Sequence, residues 1–215
     1  MKLCDQVVRH LARRFWRQAT TYQYQKTFPL RASAQEEFTR KYFLPMLTTN
    51  MHVIDLGCAD GWHTLIVAPF VKKITAYDLN SRFIETASQL AAESHVENCD
   101  FLVADVTSLE IDRIDAAICA GLFTYLSKQE VVSVLQKLFG AMPTGSPLLL
   151  KDTLTLLDSD RGESRFLSRT RGAFYRTTEY WHQLVINQGF MIQQCEVIEQ
   201  TNEQYLSKMM VAVRV

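Results

Sequence analysis

The chain has 215 residues, enough to bury one full-sized hydrophobic core and to carry a short additional segment. With 47% hydrophobic and 21% charged residues, its composition is typical of a soluble globular protein. The formal net charge is zero, so no overall electrostatic field favours binding to nucleic acid. No apolar run approaches the roughly 18 residues that a membrane helix needs, so we expect no membrane-embedded segment.

The five cysteines are scattered, and none of them belongs to a C-x-x-C pair. No pair of histidines has the spacing of metal ligands, and we therefore predict no metal site. Unpaired cysteines are typical of a reducing compartment. The first residues, MKLCDQVVRHLARRFW, lack the apolar run of a signal peptide. Together these features predict a cytoplasmic protein.

The first 50 residues are predicted to form a helical cap, and residues 51–215 the main domain. Residues 1–20 have the apolar spacing of an amphipathic helix. A second helix is expected to begin near Ser33, because Ser33 and Glu36 fit a capping box. Up to Lys41 the chain carries nine Lys or Arg against three Asp or Glu. This excess predicts either a solvated helical face or a surface for an anionic substrate or partner.

From residue 51 onward, apolar β-branched runs alternate with amphipathic stretches, which predicts an α/β fold. The predicted strands cover residues 51–54, 73–77, 100–104, 114–119, 146–151, 191–199 and 209–215. The first five alternate with helices, so right-handed crossovers place them in one parallel sheet. The last two are joined by a short link and require an antiparallel hairpin. The polar, Arg-rich residues 155–176 are predicted to be a loop or lid.

A turn of small residues, Asp55-Leu56-Gly57-Cys58-Ala59-Asp60-Gly61, joins the first strand to a helix that is predicted to begin near Trp62. Strand, tight turn and helix are the opening unit of a Rossmann-like ligand site, where backbone N–H groups face a crevice. The G-x-G-x-x-G spacing of dinucleotide-binding proteins fails, because Ala59 and Trp62 occupy the second and third glycine positions. The turn therefore predicts a ligand other than a dinucleotide.

Three acidic residues follow or end three successive predicted strands. Asp55 ends the first strand, Asp78 the second and Asp105 the third. Because the carboxyl ends of parallel strands meet at one edge of a sheet, these carboxylates are expected to lie at one crevice. Carboxylates that converge repel one another unless a ligand or partner neutralises them, so this pattern predicts a binding site.

The turn at Asp55–Gly61 resembles motif I, (D/E)-x-G-x-G-x-G, of class I S-adenosylmethionine-dependent methyltransferases, with Ala59 in place of the middle glycine. Cys119-Ala120-Gly121-Leu122 is similar to the fourth motif of that family. The resemblance implies a seven-stranded, mostly parallel sheet with helices on both faces and an antiparallel last strand. It also implies S-adenosylmethionine as cofactor.

The resemblance further implies which residues bind the cofactor. Asp55 would orient the turn, Asp78 would bind the ribose and Asp105 the adenine. The complete implied set is Asp55, Gly57, Cys58, Ala59, Gly61, Asp78, Leu79, Asp105, Val106, Ala120 and Gly121. Tyr22, Tyr24 and Arg17 of the cap are further candidates to close over the cofactor, or else packing residues.

Candidates for catalysis are Asp152 after the fifth strand, His63 after the glycine turn, and the pair Tyr175 and Arg176. Each has an alternative role. Asp152 would then bond loop backbone, and His63 would pack against the cofactor or stay solvated. Tyr175 and Arg176 would then belong to lid packing or a salt bridge.

The resemblance predicts an enzyme that methylates oxygen or nitrogen of a small metabolite, with an anionic metabolite as one option. The Asn/Asp-Pro-Pro-Tyr/Phe motif of adenine- and glutamine-modifying relatives is absent, so nucleic acid is not the expected substrate. Two alternatives stay open: an RNA or protein methyltransferase that docks through the basic first helix, and a non-catalytic cofactor-binding assembly partner. The oligomeric state, monomer or homodimer, is left open.

Overall fold

The computed structural model describes residues 3–20, 24–157, 162–167 and 172–215. Its helices are α1 (Leu3–Gln18), α2 (Tyr24–Thr27), α3 (Pro29–Phe38), α4 (Trp62–Val67), α5 (Ser81–Glu93), α6 (Lys128–Ala141) and α7 (Thr178–Ile186). Its strands are β1 (His52–Leu56), β2 (Lys73–Asp78), β3 (Cys99–Val103), β4 (Ala116–Ala120), β5 (Pro147–Thr155), β6 (Glu163–Leu167), β7 (Gly172–Arg176), β8 (Phe190–Gln200) and β9 (Tyr205–Arg214). Within these ranges, no helix combines the length and apolar character of a membrane span. Tyr22 and the side chain of Tyr24 lie outside the described part.

One sheet contains all of these strands, and its first five run parallel in the order β3-β2-β1-β4-β5. On the other side of β5, β9 pairs antiparallel along the full length from residue 147 to residue 155, and β8 pairs antiparallel with β9. The predicted α/β class, the parallel sheet and the antiparallel closing hairpin are confirmed.

The strand count differs from the predicted seven, because residues 155–176 are more than a loop. They contain β6 and β7, which pair antiparallel, and β7 also meets β5 beyond the end of β4. A Cβ on Gly172 would lie 2.2 Å from the Val8 carbonyl oxygen, so the backbone of α1 rests directly on β7. These strands depend on a helix about 160 residues away in the sequence, and local periodicity did not reveal them.

Hydrophobic clusters cover both faces of the sheet. One cluster packs α6 and α7 against it through residues such as Leu135, Leu138 and Trp181. The other includes Phe38 and Phe43 of the N-terminal region together with residues of α4 and α5. Helices therefore lie on both faces, as predicted. Alternate residues of β5 contribute to the two clusters, so neighbouring side chains of this strand face opposite sides of the sheet.

Helix starts follow local capping chemistry in most places. Ser127 and Glu130 form a reciprocal capping box at the start of α6. The prediction near Ser33 was wrong, because α3 begins at Pro29, with Phe28 preceding it. Proline is favourable at the first helical position, where its missing N–H would have no intrahelical partner. The S-x-x-E pattern therefore lies inside the helix rather than at its start.

Candidate active site

A cavity of about 550 Å³ lies at the carboxyl edge of the parallel strands. The β1–α4 turn and the ends of β2, β4 and β5 form its floor, and residues of α1 and α3 form its cover. We call the part lined by Asp55, the turn 57–60, Asp78 and Asp105 the donor half. We call the part lined by His63, Lys151, Thr153, Tyr175 and Tyr205 the acceptor half.

All but one of the predicted cofactor residues line this cavity. They are Asp55, Gly57, Cys58, Ala59, Asp78, Leu79, Asp105, Val106, Ala120 and Gly121. The exception is Gly61, whose backbone has φ +78°. A Cβ at Gly61 would lie 2.9 Å from the ring of Phe101 and 3.0 Å from the Cβ of Ala87. This glycine therefore permits close packing of the turn behind the cavity.

Asp78 at the end of β2 holds the glycine turn in place. Its carboxylate accepts hydrogen bonds from the backbone N–H of Ala59 at 3.0 Å and of Asn80 at 2.9 Å. Ala59 has φ +49°, a conformation that glycine adopts more easily, and the bond to Asp78 stabilises it. Burial raises the pKa of Asp78, so bound hydroxyl or amine donors would favour its charged form.

Asp55 is 1% exposed and accepts a hydrogen bond of 2.6 Å from the Thr64 hydroxyl. Burial raises its pKa to about 7, the Thr64 bond opposes this rise, and the charge of Asp78 adds to it. The donor half thus contains two close carboxyl groups that a positively charged ligand group would stabilise.

The carboxylate of Asp105 forms an ion pair with Arg13 of α1, which the sequence did not predict. Arg13 Nη2 lies 3.1 Å from Asp105 Oδ2 and also 3.1 Å from Glu130 Oε1. Arg9 Nε lies 2.6 Å from the same Glu130 oxygen. Part of the basic excess near the N-terminus therefore pairs with acids of the chain itself. No local pattern links α1 to these acids.

The C-terminal end of α1 is fastened over the donor half by Asn80. The Asn80 amide donates to the carbonyl oxygens of Trp16 at 2.8 Å and Ala19 at 3.0 Å, while its own oxygen caps α5. Trp16 lines the cavity, and its ring lies 4.9 Å from that of Tyr125. Among the described residues, no partner accepts a hydrogen bond from the buried Trp16 Nε1.

His63 faces the acceptor half from the first turn of α4 and is 8% exposed. Burial, followed by the charge of Lys151, lowers its pKa to about 3, so the ring is neutral at pH 7. Within the described ranges, its buried Nε2 atom has no hydrogen-bond partner. An unsatisfied, buried ring nitrogen at a cavity wall is a ready partner for a ligand.

Asp152 does not line the cavity, so the structure favours its alternative role, bonding of loop backbone, over its predicted role as a base. Strand β5 runs on to Thr155 because β9 pairs with it that far, so position 152 is inside the strand. Side chains alternate along a strand, and Lys151 and Thr153 face the cavity instead. Asp152 is 3% exposed and accepts bonds from the Thr124 N–H at 3.1 Å and hydroxyl at 2.8 Å.

Arg176 does not line the cavity either, so the structure favours its alternative role, packing and a salt bridge, over its predicted catalytic role. It is 1% exposed, and its guanidinium donates to the carbonyl oxygens of Phe123 at 2.6 Å and Leu126 at 2.8 Å. It also forms an ion pair of 2.9 Å with Glu163. Arg176 therefore joins β7 and β6 to the loop that follows β4. Its neighbour Tyr175 lines the cavity.

Lys151 lines the cavity but was not among the candidate residues predicted from the sequence. It is 8% exposed at the cavity wall, and burial lowers its pKa to about 8, with the charge of Arg31 as a further cause. Arg31 of α3 lines the same cavity and is paired with Glu199. The alternation of side chains along a strand could have placed Lys151 and Thr153 on the cavity side. That prediction requires knowing that β5 extends to Thr155.

A parallel sheet that carries a glycine turn and convergent carboxylates at its carboxyl edge defines a Rossmann-like ligand-binding protein. Residues 53–145 match a family model described as a methyltransferase domain. The match identifies residues 53–145 as a methyltransferase domain, whose cofactor is S-adenosylmethionine.

Solved structures of low sequence identity share the fold. A methyltransferase from Methanosarcina mazei aligns with a TM-score of 0.66 at 18% identity, over 80% of this chain and 95% of that one. Geranyl diphosphate C-methyltransferase from Streptomyces coelicolor aligns with a TM-score of 0.72 at 9% identity, over 97% and 98%. Magnesium protoporphyrin IX methyltransferase from Synechocystis, with bound S-adenosylhomocysteine, aligns with a TM-score of 0.67 at 17% identity, over 94% and 92%. No curated protein sequence matches the chain.

The donor half fits this cofactor chemically. Asp55 is buried and Asp78 is half-buried, and the raised pKa values of both carboxyl groups would be offset by an ammonium group and by hydroxyl donors. The positive φ angles at Gly57 and Ala59 turn the backbone so that a ligand can approach closely. Trp16 Nε1 offers a further buried donor.

Proposed function

We propose that the chain transfers a methyl group to oxygen or nitrogen of a small anionic metabolite. One observation carries the proposal: a single cavity is lined by four carboxylates in the donor half and by the buried Lys151 in the acceptor half, with the half-buried Arg31 also in its wall. The negative side suits a cationic cofactor. The positive side suits an anionic acceptor.

Bound S-adenosylmethionine supplies an activated methyl group, so the protein's task is positioning. Alignment of two reactants at near-attack distance can contribute roughly 7–11 kcal/mol. The turn 57–60 and Asp78 would hold one reactant, and the acceptor half would hold the other. α1, fastened by Asn80 and Arg13, covers the donor half and would exclude water.

His63 is the side chain that we propose to assist the acceptor atom. With its proton on Nδ1, the neutral ring presents a lone pair at Nε2, which can accept the hydrogen of an acceptor hydroxyl or amine. Such a bond would orient the acceptor lone pair and receive the proton as it is lost. Because the pKa of about 3 makes His63 a weak base, we expect a contribution of about a hundredfold, the lower end for acid–base catalysis.

Two further lines support a small acceptor. The structural relatives from Streptomyces and Synechocystis are named for geranyl diphosphate and magnesium protoporphyrin IX, which are both small molecules. Docking of RNA through α1 has less support, because Arg9 and Arg13 are paired with Glu130 and Asp105. We also propose that residues 1–50 act as the cap of a domain formed by residues 51–215. The cytoplasmic location stays a prediction.

Incubation of the protein with a metabolite extract and methyl-labelled S-adenosylmethionine, followed by mass spectrometry, tests the activity. We expect label in a small anionic compound. His63→Phe should slow its formation about a hundredfold while calorimetry gives an unchanged cofactor affinity. Asp152→Asn is the matched control and should keep its rate, because the asparagine oxygen can still accept both Thr124 bonds. Label that appears only in RNA or protein would contradict the proposal.

A further inference from the structure

We propose that the acceptor is an aromatic carboxylic acid whose carboxylate binds Lys151 and whose ring lies against Tyr175 and Tyr205. This inference rests on the proposed function and narrows it to one class of acceptor.

Lys151 is a buried cation that forms no direct ion pair among the described residues. It is 8% exposed, it lines the cavity, and no carboxylate of the described residues lies within ion-pair distance of its ammonium group. The nearest acid in sequence, Asp152, points to the other face of the sheet and bonds Thr124. A buried charge without a partner is costly, and such a charge at a cavity wall marks a site for an anionic ligand.

The charge balance of the acceptor half favours a single negative charge. Arg31 lines the same region, but Glu199 already pairs with it. The charges of Asp152 and Glu199 act on Lys151 from beyond ion-pair distance, and one bound carboxylate would give it a direct partner. A phosphate monoester carries about −1.5 to −2 at pH 7 and would leave part of its charge buried without a partner.

Aromatic side chains form the wall next to Lys151. The rings of Tyr175 and Tyr205 lie 4.5 Å apart with an interplanar angle of 47°, and both line the cavity. Phe28 lines the same half and lies under the guanidinium of Arg31, which is 5.0 Å from the ring centroid. Aromatic rings prefer offset or edge-to-face neighbours, so this wall suits a flat ring better than a flexible chain.

His63 would sit beside the second polar group of such an acid. The charge of Lys151 acts on the His63 ring, so the two side chains share one region of the cavity. A ring that carries a carboxylate and a hydroxyl or amino group could therefore bond Lys151 with one and His63 Nε2 with the other. Hydroxybenzoates and aminobenzoates have this combination of groups and are therefore the acceptors to test.

Calorimetry in the presence of S-adenosylhomocysteine tests the inference without turnover. The probes are the three hydroxybenzoate isomers, the matching hydroxybenzamides, which lack the negative charge, and phenyl phosphate. We expect at least one acid to bind about tenfold or more tightly than its amide and than phenyl phosphate. Lys151→Met should abolish this preference, whereas Lys72→Met, a change at an exposed lysine outside the cavity, should leave it intact.

Affinity for S-adenosylhomocysteine in each variant serves as the test of folding. If no acid binds, if the wild-type protein binds acid and amide equally, or if Lys151→Met keeps the preference, the inference is wrong. A stronger response to phenyl phosphate would also overturn it. The proposed function is tested separately, because it fails only if the wild-type protein transfers no methyl group to oxygen or nitrogen of any small anionic molecule. The wild-type comparison of acid with amide needs no variant and decides the question even if Lys151→Met does not fold.

Discussion

The donor half and the acceptor half of the cavity are built in different ways. In the donor half, the three carboxylates at strand ends have partners close in sequence: Thr64 for Asp55, the N–H groups of Ala59 and Asn80 for Asp78, and Thr107 for Asp105. In the acceptor half, Lys151 lacks an ion-pair partner and His63 Nε2 lacks a hydrogen bond among the described residues. Polar groups that already have partners stabilise the fold around the part of the cavity that we assign to the cofactor. Polar groups left without one are available to a second ligand.

The halves also differ in where their residues come from. The β1–α4 turn and the ends of β2 and β3 follow one another along the first half of the chain. The acceptor half joins α4, β5, β7 and β9 with residues of α3. A site for a widely used cofactor is thus encoded locally. A site for a particular acceptor depends on contacts between distant segments.

The largest expected effect is a loss of stability on substitution of Gly61, the glycine of the turn that serves packing behind the cavity. Gly61→Ala should lower the free energy of unfolding by about 3 kcal/mol, because it combines a positive φ with a clash against Phe101 and Ala87. Gly145→Ala is the control, since its φ is +86° but nothing lies within 4 Å of the added carbon. It should cost about 1 kcal/mol. Urea unfolding measures both, and equal losses would contradict the packing role of Gly61.

The next effect concerns the free energy of unfolding, which we expect the buried Lys151 of the acceptor half to lower. Lys151→Met should raise the free energy of unfolding by about 2 kcal/mol at pH 7, because burial lowers the lysine pKa from its ordinary value of 10.5 to about 8. A lowered lysine pKa penalises the folded state below pH 8, and the penalty disappears as the pH rises through 10.5. The gain should therefore shrink over that range. Urea unfolding between pH 7 and pH 10.5 measures it, and a variant that is less stable at pH 7 would contradict the account.

The smallest effect concerns the donor half. Asp78→Ala should weaken binding of S-adenosylmethionine at least about tenfold, or about 1.4 kcal/mol, because it removes the carboxylate that we assign to the ribose and frees the Ala59 N–H. Asp100→Ala is the control: this acid of β3 pairs with Lys73 and does not line the cavity. Calorimetry compares the two. An unchanged affinity in Asp78→Ala would remove the ribose assignment.

Most of the fold could be predicted because its signals are local. Buried runs of β-branched residues, capping residues such as Ser127 and acids at strand ends need no knowledge of distant contacts. The prediction failed at β6 and β7, whose polar sequence becomes a strand only where α1 rests on Gly172. It also failed at α3, where Pro29 rather than Ser33 begins the helix.

The sequence by itself determined the α/β fold and, through its resemblance to a known family, the cofactor, because a glycine turn followed by strand-end acids is a short-range pattern. Only the tertiary structure decided which residues face the acceptor. Pairing with β9 extends β5 past position 152, so Lys151 faces the cavity and Asp152 lies on the opposite face of the sheet. Pairing of Arg9 and Arg13 with the acids beside the cavity likewise turns a basic surface helix into its cover. Both outcomes depend on partners far away in the chain, and no local spacing reports them.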